Sequence, residues 1–107
     1  MAAGRQQIQA TTITSSTAET TIATASSGKR LNLRTLIVSN KSATAVQVTI
    51  KDATSGTTRL ILQVPAGDVR GIDLNVPMQQ AVSGNNWTAT TQSVDSIYIT
   101  TICDVED

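Results

Sequence analysis

Apolar and polar residues alternate along most of the chain after residue 30. In the segment 45–51, AVQVTIK, the apolar residues Val46, Val48 and Ile50 occupy every second position, so their side chains would share one face. This period of two is typical of a β-strand with one buried side and one wet side. The same alternation predicts three further strands, whose inward faces are formed by Leu60, Leu62 and Val64, by Ile72, Leu74 and Val76, and by Ile97, Ile99 and Thr101.

Two other segments complete this pattern. The segment 31–40, LNLRTLIVSN, first alternates and then becomes apolar on both faces at residues 36–38, which predicts a strand in the middle of a sheet. The sequence VPAG predicts a hairpin, with Pro65 at the first central position of a type I turn and Gly67 at the position where that turn prefers glycine. Because helical periodicity of useful length is missing, we expect an all-β fold, an antiparallel β-sandwich of jelly-roll-like form.

The N-terminal segment is rich in threonine and serine and has few apolar residues to bury. Its apolar anchors are Ile8, Ile13 and Ile22. Two interpretations stay open. Residues 6–14 and 19–24 could be edge strands of the same sandwich, or part of the segment could be an extended arm that orders on a partner, because so few anchors do not offset its conformational entropy. We therefore divide the chain into an arm or edge-strand segment, residues 1–28, and a sandwich domain, residues 29–107.

Composition and charge narrow the function classes. The chain has 107 residues, which suits one domain, and threonine outnumbers all charged residues together. The net charge is zero, but the eight basic residues all lie between residues 5 and 70, and five of the eight acidic residues follow Arg70. This asymmetry fits either ordinary solvated charge or oppositely charged surfaces that meet in an assembly. Nucleic-acid binding is not supported, since no basic cluster is interleaved with aromatic residues.

Residue types for catalysis or metal binding are scarce. The chain has no histidine, so neither a Ser-His-Asp nor a Cys-His arrangement can form. Cys103 is alone, which excludes an intrachain disulfide and favours a buried, inert thiol over a nucleophile. The acids match no zinc or EF-hand spacing, and the glycines form no phosphate-binding loop. We therefore expect no catalytic, metal or cofactor site, and a protein that is not an enzyme.

Targeting signals are also missing from the sequence. The N-terminus, MAAGRQQIQATT, lacks the apolar stretch of a secretory signal, and no apolar run approaches the length that spans a membrane. We expect a protein made in a cytoplasm, with no membrane partner.

The run LRTLIVSNKSATAVQVTIKDATSGTTRLILQVPAGDVRGIDLNVP, residues 33–77, resembles small bacteriophage virion proteins of the capsid decoration (cement) and head-surface type. The resemblance rests on a strand ending IVSN, a Val/Ile strand, the VPAG turn and a strand that closes at LNVP. It implies a jelly-roll-like sandwich on the outside of an icosahedral capsid, often a trimer, that clamps neighbouring major capsid proteins. A neck, tail or head-fibre component would also fit.

The resulting prediction is a structural virion protein that decorates the assembled phage head. Its partners would be the major capsid protein or other virion proteins, and it would form a homo-oligomer, with a trimer favoured. The alternatives are a neck, tail or fibre subunit, or a carbohydrate-binding or adhesive module in which Trp87 stacks on a ligand. The candidate protein–protein contacts are Arg5, Gln7, Ile8, Arg30, Arg34 and Trp87.

Overall fold

The computed structural model of the chain describes residues 5–13, 17–25, 27–92 and 96–106, with the side chain of Arg5 left out. These residues form eight β-strands: β1 Arg5–Ile13, β2 Thr20–Ala23, β3 Arg30–Asn40, β4 Val46–Lys51, β5 Thr58–Val64, β6 Val69–Met78, β7 Trp87–Thr91 and β8 Ile97–Glu106. Among the described residues, no helix has the length and apolarity to cross a membrane.

The strands form two four-stranded sheets that pack face to face. Sheet A has the order β1-β8-β3-β6, and sheet B has the order β2-β7-β4-β5. Neighbouring strands are antiparallel throughout both sheets. The predicted antiparallel β-sandwich is confirmed. Among the described strands, β4 and β5 are the consecutive pair that lies side by side in one sheet, and the other connections cross between the sheets.

The core between the sheets consists mainly of aliphatic side chains from alternate strand positions. In β4, residues Val46, Val48 and Ile50 are fully buried, and in β8 the inward positions Ile97, Ile99 and Thr101 are buried while Tyr98 faces outward, as the alternation predicts. Trp87 is the largest fully buried side chain. The stabilisation from buried apolar area, about 25 cal/mol per Å², therefore comes mostly from aliphatic side chains.

The central strand β3 contains a β-bulge that the sequence pattern does not reveal. Its pairing with β8 shifts between Leu33 and Thr35, because Leu33 lies opposite Cys103 and Thr35 lies opposite the next residue, Ile102. One extra residue in a strand reverses the face of every later side chain. Leu33 is buried before the bulge, and Leu36 and Val38 are buried after it. The prediction that this segment is a central strand is confirmed, since β3 lies between β8 and β6.

The predicted hairpin at VPAG is wrong. The strands on either side of it, β5 and β6, belong to different sheets, so the turn is an arch across the edge of the sandwich. The turn also lies one residue later than predicted, because Asp68 N donates to Pro65 O at 3.1 Å and Gly67 has a φ of 69°. Buried Asn40 fixes the arch: its amide Nδ2 donates to Val64 O at 3.1 Å.

The predicted inward face of β6 is wrong at one position. Ile72 and Leu74 are half-buried, but Val76 is 80 % exposed. The pairing of β6 with β3 is irregular in this region, where Asp73 lies opposite Thr35 but Met78 lies opposite Leu33. Five residue steps along β6, from Asp73 to Met78, therefore correspond to two steps along β3, from Thr35 to Leu33, and a strict period of two does not hold there.

The N-terminal segment forms edge strands of the sandwich in the structure. β1 pairs with β8 over nine residues, from Arg5 opposite Val105 to Ile13 opposite Ile97, and β2 pairs with β7. Of the two open interpretations, the edge-strand one describes these residues. Thr14, the predicted end of the first strand, lies outside the described residues. Segments 1–28 and 29–107 thus contribute strands to one sandwich.

Candidate docking surface

Candidate metal ligands do not cluster in the described part of the chain. No group of three or more Cys, Asp or Glu side chains there could hold a metal ion. The thiol of Cys103 lies in the core on β8, as predicted. Burial, and secondarily the charge of Asp104, raises the pKa of this thiol to about 12, so the group is protonated at neutral pH.

The outer face of sheet A, the side away from sheet B, has its side chains in three rows that cross all four strands. Directly paired residues of an antiparallel sheet have their side chains on the same face. The strand pairing therefore gives the rows Ile8–Ile102–Thr35–Asp73, Ala10–Thr100–Ile37–Gly71 and Thr12–Tyr98–Ser39–Val69.

This outer face is apolar for a solvated sheet. Four of its large side chains are exposed: Ile8 by 67 %, Ile37 by 41 %, Val69 by 51 % and Tyr98 by 41 %. The other positions of the three rows are small or hydroxyl-bearing residues, apart from half-buried Ile102 and the charged Asp73 at the margin. Three rows across four strands cover roughly 400 Å², from a strand spacing of about 4.8 Å and a rise of about 3.4 Å per residue. The exposed apolar side chains make up part of this area, and exposed apolar patches of a few hundred Å² on a monomer are often functional.

Charge on this face is confined to its margin. The side chain of Asp73 accepts a hydrogen bond from the Thr35 hydroxyl at 2.7 Å. The ammonium of Lys41 lies 5.9 Å from the centre of the Tyr98 ring, within the range of a cation–π contact. The middle row consists of Ala10, Thr100, Ile37 and Gly71 and has no ionisable group. An apolar partner surface could therefore approach the centre of this face without burying a charge.

Gly71 keeps the centre of the face open. A Cβ atom added there would lie 2.8 Å from the Leu36 carbonyl oxygen and 3.4 Å from Cγ1 of Ile37. Any side chain at this position would therefore collide with β3. Glycine lets β6 pair closely with β3 and leaves Ile37 as the tallest side chain of the middle row.

Arg34, a predicted docking residue, uses its guanidinium within the chain. Its Nε donates to both carboxylate oxygens of Asp104 at 3.1 Å, and its Nη1 donates to the carbonyl oxygens of Leu74 and Asn75 at 3.3 and 3.4 Å. These carbonyls lie where β6 pairs irregularly with β3. The hydrogen bond from Arg34 lowers the pKa of Asp104. The contacts give Arg34 a structural role at the bulge, and its role in docking stays a prediction.

Arg30, the second basic candidate, lies opposite Glu106 on the neighbouring strand. Its Nη1 is 3.7 Å from the Glu106 carboxylate, and its Nε is buried without a hydrogen-bond partner in the structure. The pKa of Glu106 is lowered, first by a hydrogen bond from Asn32 and then by the charge of Arg30. Basic residues of the first half of the chain thus pair with acidic residues of the second half inside one subunit, although surface pairs of this kind stabilise little.

The three N-terminal candidates have different environments. Ile8 is exposed on the outer face of sheet A. Gln7 points the other way, and its Nε2 donates to the carbonyl oxygen of Thr24 at 2.8 Å. The side chain of Arg5 lies outside the described residues. Of the three, Ile8 is placed where it could contact a partner directly.

Trp87 is a core residue and not a surface contact. It is fully buried at the start of β7, and its Nε1 donates to the carbonyl oxygen of Leu31 at 2.6 Å. The guanidinium of Arg59 lies 6.0 Å from its ring centre. The indole is therefore unavailable both to a protein partner and to a sugar ring at the surface.

The outer face of sheet B is polar by comparison. Its shallow depression of about 170 Å³ is lined by Gln47, Thr49, Thr90, Thr91 and Gln92. Pockets for small ligands usually measure roughly 300–1,000 Å³ and are mainly apolar. This depression is too small and too polar to match them. The contrast makes the outer face of sheet A the candidate docking surface.

Sequence reasoning named Ile8 but missed Ile37, Val69 and Tyr98. Two signals for them are present in the sequence. Ile37 belongs to the run that is apolar on both faces, and Tyr98 alternates with buried Ile97 and Ile99. The pattern of one strand cannot show that these residues are neighbours, because that depends on the order of the strands in the sheet.

Comparison with known proteins does not identify a family for the chain. No family model and no curated protein matches the chain. Among solved structures, a similar chain comes from the cryo-EM structure of the giant freshwater prawn Macrobrachium rosenbergii extra small virus (XSV) VLP. The two chains are 12 % identical, with a TM-score of 0.45, over all of this chain and 82 % of the other. A similarity at this level does not identify a family.

Proposed function

We propose that the protein is a structural subunit of a virus particle and that it binds its neighbours through the outer face of sheet A. Its specific role would be that of a capsid decoration protein on a bacteriophage head, in contact with the major capsid protein and active by adhesion, without a catalytic step. The observation that carries the proposal is the apolar outer face of sheet A, with Ile8, Ile37 and Tyr98 exposed across three neighbouring strands.

The strand order supports a jelly-roll fold. Sheet A contains strands 1, 8, 3 and 6 and sheet B contains strands 2, 7, 4 and 5, so the chain alternates between the sheets except at one hairpin. An eight-stranded double sheet with nested crossing connections is the jelly-roll arrangement, which is common in viral capsid and lectin domains. Because one fold serves many functions, this order is compatible with a capsid role and does not select it alone.

The mechanism would be mass-action stabilisation. A protein that binds the assembled lattice and not its dissociated subunits adds its binding free energy to the lattice, by about 2.7 kcal/mol per site at a free concentration one hundred times Kd. An icosahedral shell repeats the site many times, so a modest patch has a large total effect. A rigid sandwich suits this role, because little conformational entropy is lost on docking.

The lectin alternative is less well supported. Binding of sugars usually uses an exposed aromatic ring, and Trp87 is fully buried. Tyr98 is the other aromatic residue of the chain. It lies among aliphatic and hydroxyl side chains on the outer face of sheet A, which suits a protein surface better than a sugar.

The test is cosedimentation with capsids of the virus that encodes the chain, prepared without the protein. The wild type should sediment with them, and Ile37→Lys should not, since it places a charge in the centre of the apolar face. Ile61→Lys is the matched control, because Ile61 is an exposed isoleucine on β5 of sheet B. Equal binding by Ile37→Lys and the wild type would contradict the proposed surface. Binding to necks, tails or fibres instead of heads would make the protein a different virion subunit.

A further inference from the structure

The free edge of β1 is unusually well suited to pairing with another strand. In the described part of the chain no strand lies beside β1 on the side away from β8. β1 has nine residues and pairs with β8 without a register shift. Residues 6–13, QQIQATTI, include no charge, proline or glycine. An exposed, long and regular edge of this kind presents a row of backbone N–H and C=O groups that another strand can pair with.

The other described sheet edges have features that oppose strand addition. β6 has Gly71, Pro77 and the charges of Arg70 and Asp73, and its pairing is irregular. β5 has Arg59 beside a register shift. β2 has four residues and a register shift. Natural proteins protect edges by charge, proline, bulges and short length. β1 is the described edge that has none of them within residues 6–13.

The side chains that point inward from β1 hold the strand in place. Gln7 Nε2 donates to Thr24 O at 2.8 Å, and Thr24 N donates to Gln9 Oε1 at 2.8 Å. These two bonds join β1 to the end of β2 in the opposite sheet. The edge is therefore fixed before any partner arrives, which lowers the entropy lost on association.

We propose that β1 pairs antiparallel with β1 of a second copy across a two-fold axis, so that two copies of sheet A become one eight-stranded sheet. The partner is a second β1 because the other described edges of a second copy have protective features and β1 does not. Residues 6–13 of the two strands meet without like-charge repulsion. A two-fold contact also closes on itself and does not lead to fibres. This inference does not depend on the proposed function.

The available area makes this a small interface. The side of the molecule beside β1 measures about 31 Å along the strand, from a rise of about 3.4 Å per residue. With the smallest extent of the Cα atoms, 18 Å, taken as the thickness, each partner contributes roughly 550 Å². A total near 1,100 Å² is at the lower limit of specific interfaces. Area alone does not fix affinity, but an interface of this size fits a dimer that dissociates on dilution.

The experiment is sedimentation equilibrium of the full chain over a range of concentrations. The expected result is a mass that rises from the 11.2 kDa of one chain to twice that value. Ala10→Lys should weaken the dimer about tenfold or more, because Ala10 lies near the middle of residues 6–13 and the lysines of the two copies would lie close together near the axis. Ala10→Ser, at the same exposed position, and Ile61→Lys, on the edge strand of the other sheet, should leave the mass unchanged.

Ile37→Lys separates this interface from the docking face. Ile37 lies two strands away from β1, so the substitution should abolish capsid binding and leave the dimer intact. Far-UV circular dichroism checks that each variant is folded. A monomer at every concentration, a trimer, or a dimer that withstands Ala10→Lys would overturn the inference. Loss of the dimer in Ile37→Lys would also overturn it, because it would indicate face-to-face association.

Discussion

Replacement of Arg34 by methionine should destabilise the fold without changing its docking surface. Arg34 lies at the β-bulge of the central strand, where its guanidinium bonds the Asp104 carboxylate and the carbonyl oxygens of Leu74 and Asn75. Methionine keeps much of the aliphatic stem and removes every donor. The carboxylate and both carbonyls then lose the guanidinium as a partner, in a region where the strand pairing of β6 is already irregular.

The expected cost is about 1 kcal/mol. A net hydrogen bond to a charged group contributes about 1.5–3 kcal/mol when it is protected. Here the side chains are 31 % and 23 % exposed, so water screens the interaction and can replace the lost donors, which lowers the cost below that range. For a domain of this size, about 1 kcal/mol corresponds to a decrease in Tm of about 5 °C.

The stabilisation by the Arg34–Asp104 pair should depend on pH. The Arg34 guanidinium lowers the pKa of Asp104 in the folded protein. The stabilisation is therefore complete above the unfolded carboxyl pKa of about 3.9 and is lost as the pH falls through the lower folded value. The difference in Tm between the wild type and Arg34→Met should be largest near pH 6 and should decrease as the pH falls below about 4.

The assay is thermal unfolding of the wild type, Arg34→Met, Asp104→Asn and the double variant. The double-mutant cycle should give a coupling free energy of about 0.5–1 kcal/mol between the two residues. An unchanged Tm in Arg34→Met, or a coupling near zero, would refute the stabilising role. Capsid binding measured below both Tm values should be unchanged. A loss of binding there would instead restore Arg34 as a docking residue.

Two further predictions concern the core. Cys103 should resist thiol reagents in the native protein at pH 8, because burial raises its pKa to about 12. The measurement is the absorbance change on reaction with a chromogenic thiol reagent, and rapid labelling of the folded protein would contradict the prediction. Trp87→Phe should cost about 2–3 kcal/mol in urea unfolding, through lost volume and the lost bond to Leu31 O. The control is Tyr98→Phe, on a partly exposed ring, which should change the free energy of unfolding by less than about 0.5 kcal/mol. Equal losses of stability in the two variants would contradict the buried position of Trp87.

Strands and their faces could be predicted from the sequence where the pairing is regular. In β4, and in β8 as far as Cys103, every second residue is buried, because nothing interrupts the pleat. The bulge in β3 and the irregular end of β6 could not be predicted, since a bulge is stabilised by neighbouring strands. Arg34 is the extra residue in β3, and its donors cover carbonyls of β6 that no local pattern connects to it.

Strand partners were harder to predict than strands. The residues around Pro65 and Gly67 signal a tight turn, and a turn is present there. The same residues are compatible with a hairpin or with an arch between sheets, because both reverse the chain. The choice depends on tertiary contacts such as the hydrogen bond from Asn40 to Val64 O, which joins residues 24 positions apart.

The small number of apolar anchors in the N-terminal segment underestimated how firmly this segment is held in the sandwich. Backbone pairing with β8 and the bonds of Gln7 and Gln9 to Thr24 hold β1 in the sandwich, although Ile13 is its one buried apolar residue among those described. The docking face was missed for a related reason. Ile37 and Tyr98 face outward on neighbouring strands, and their proximity follows from the strand order.

The central claim, that the outer face of sheet A meets the capsid, is tested most directly by hydroxyl-radical footprinting of Tyr98. This ring is 41 % exposed on that face in the isolated chain and should be oxidised readily. On capsids its oxidation rate should fall severalfold, while that of Ile61 on the opposite sheet should stay the same. An unchanged rate for Tyr98 in the capsid-bound protein would contradict the account.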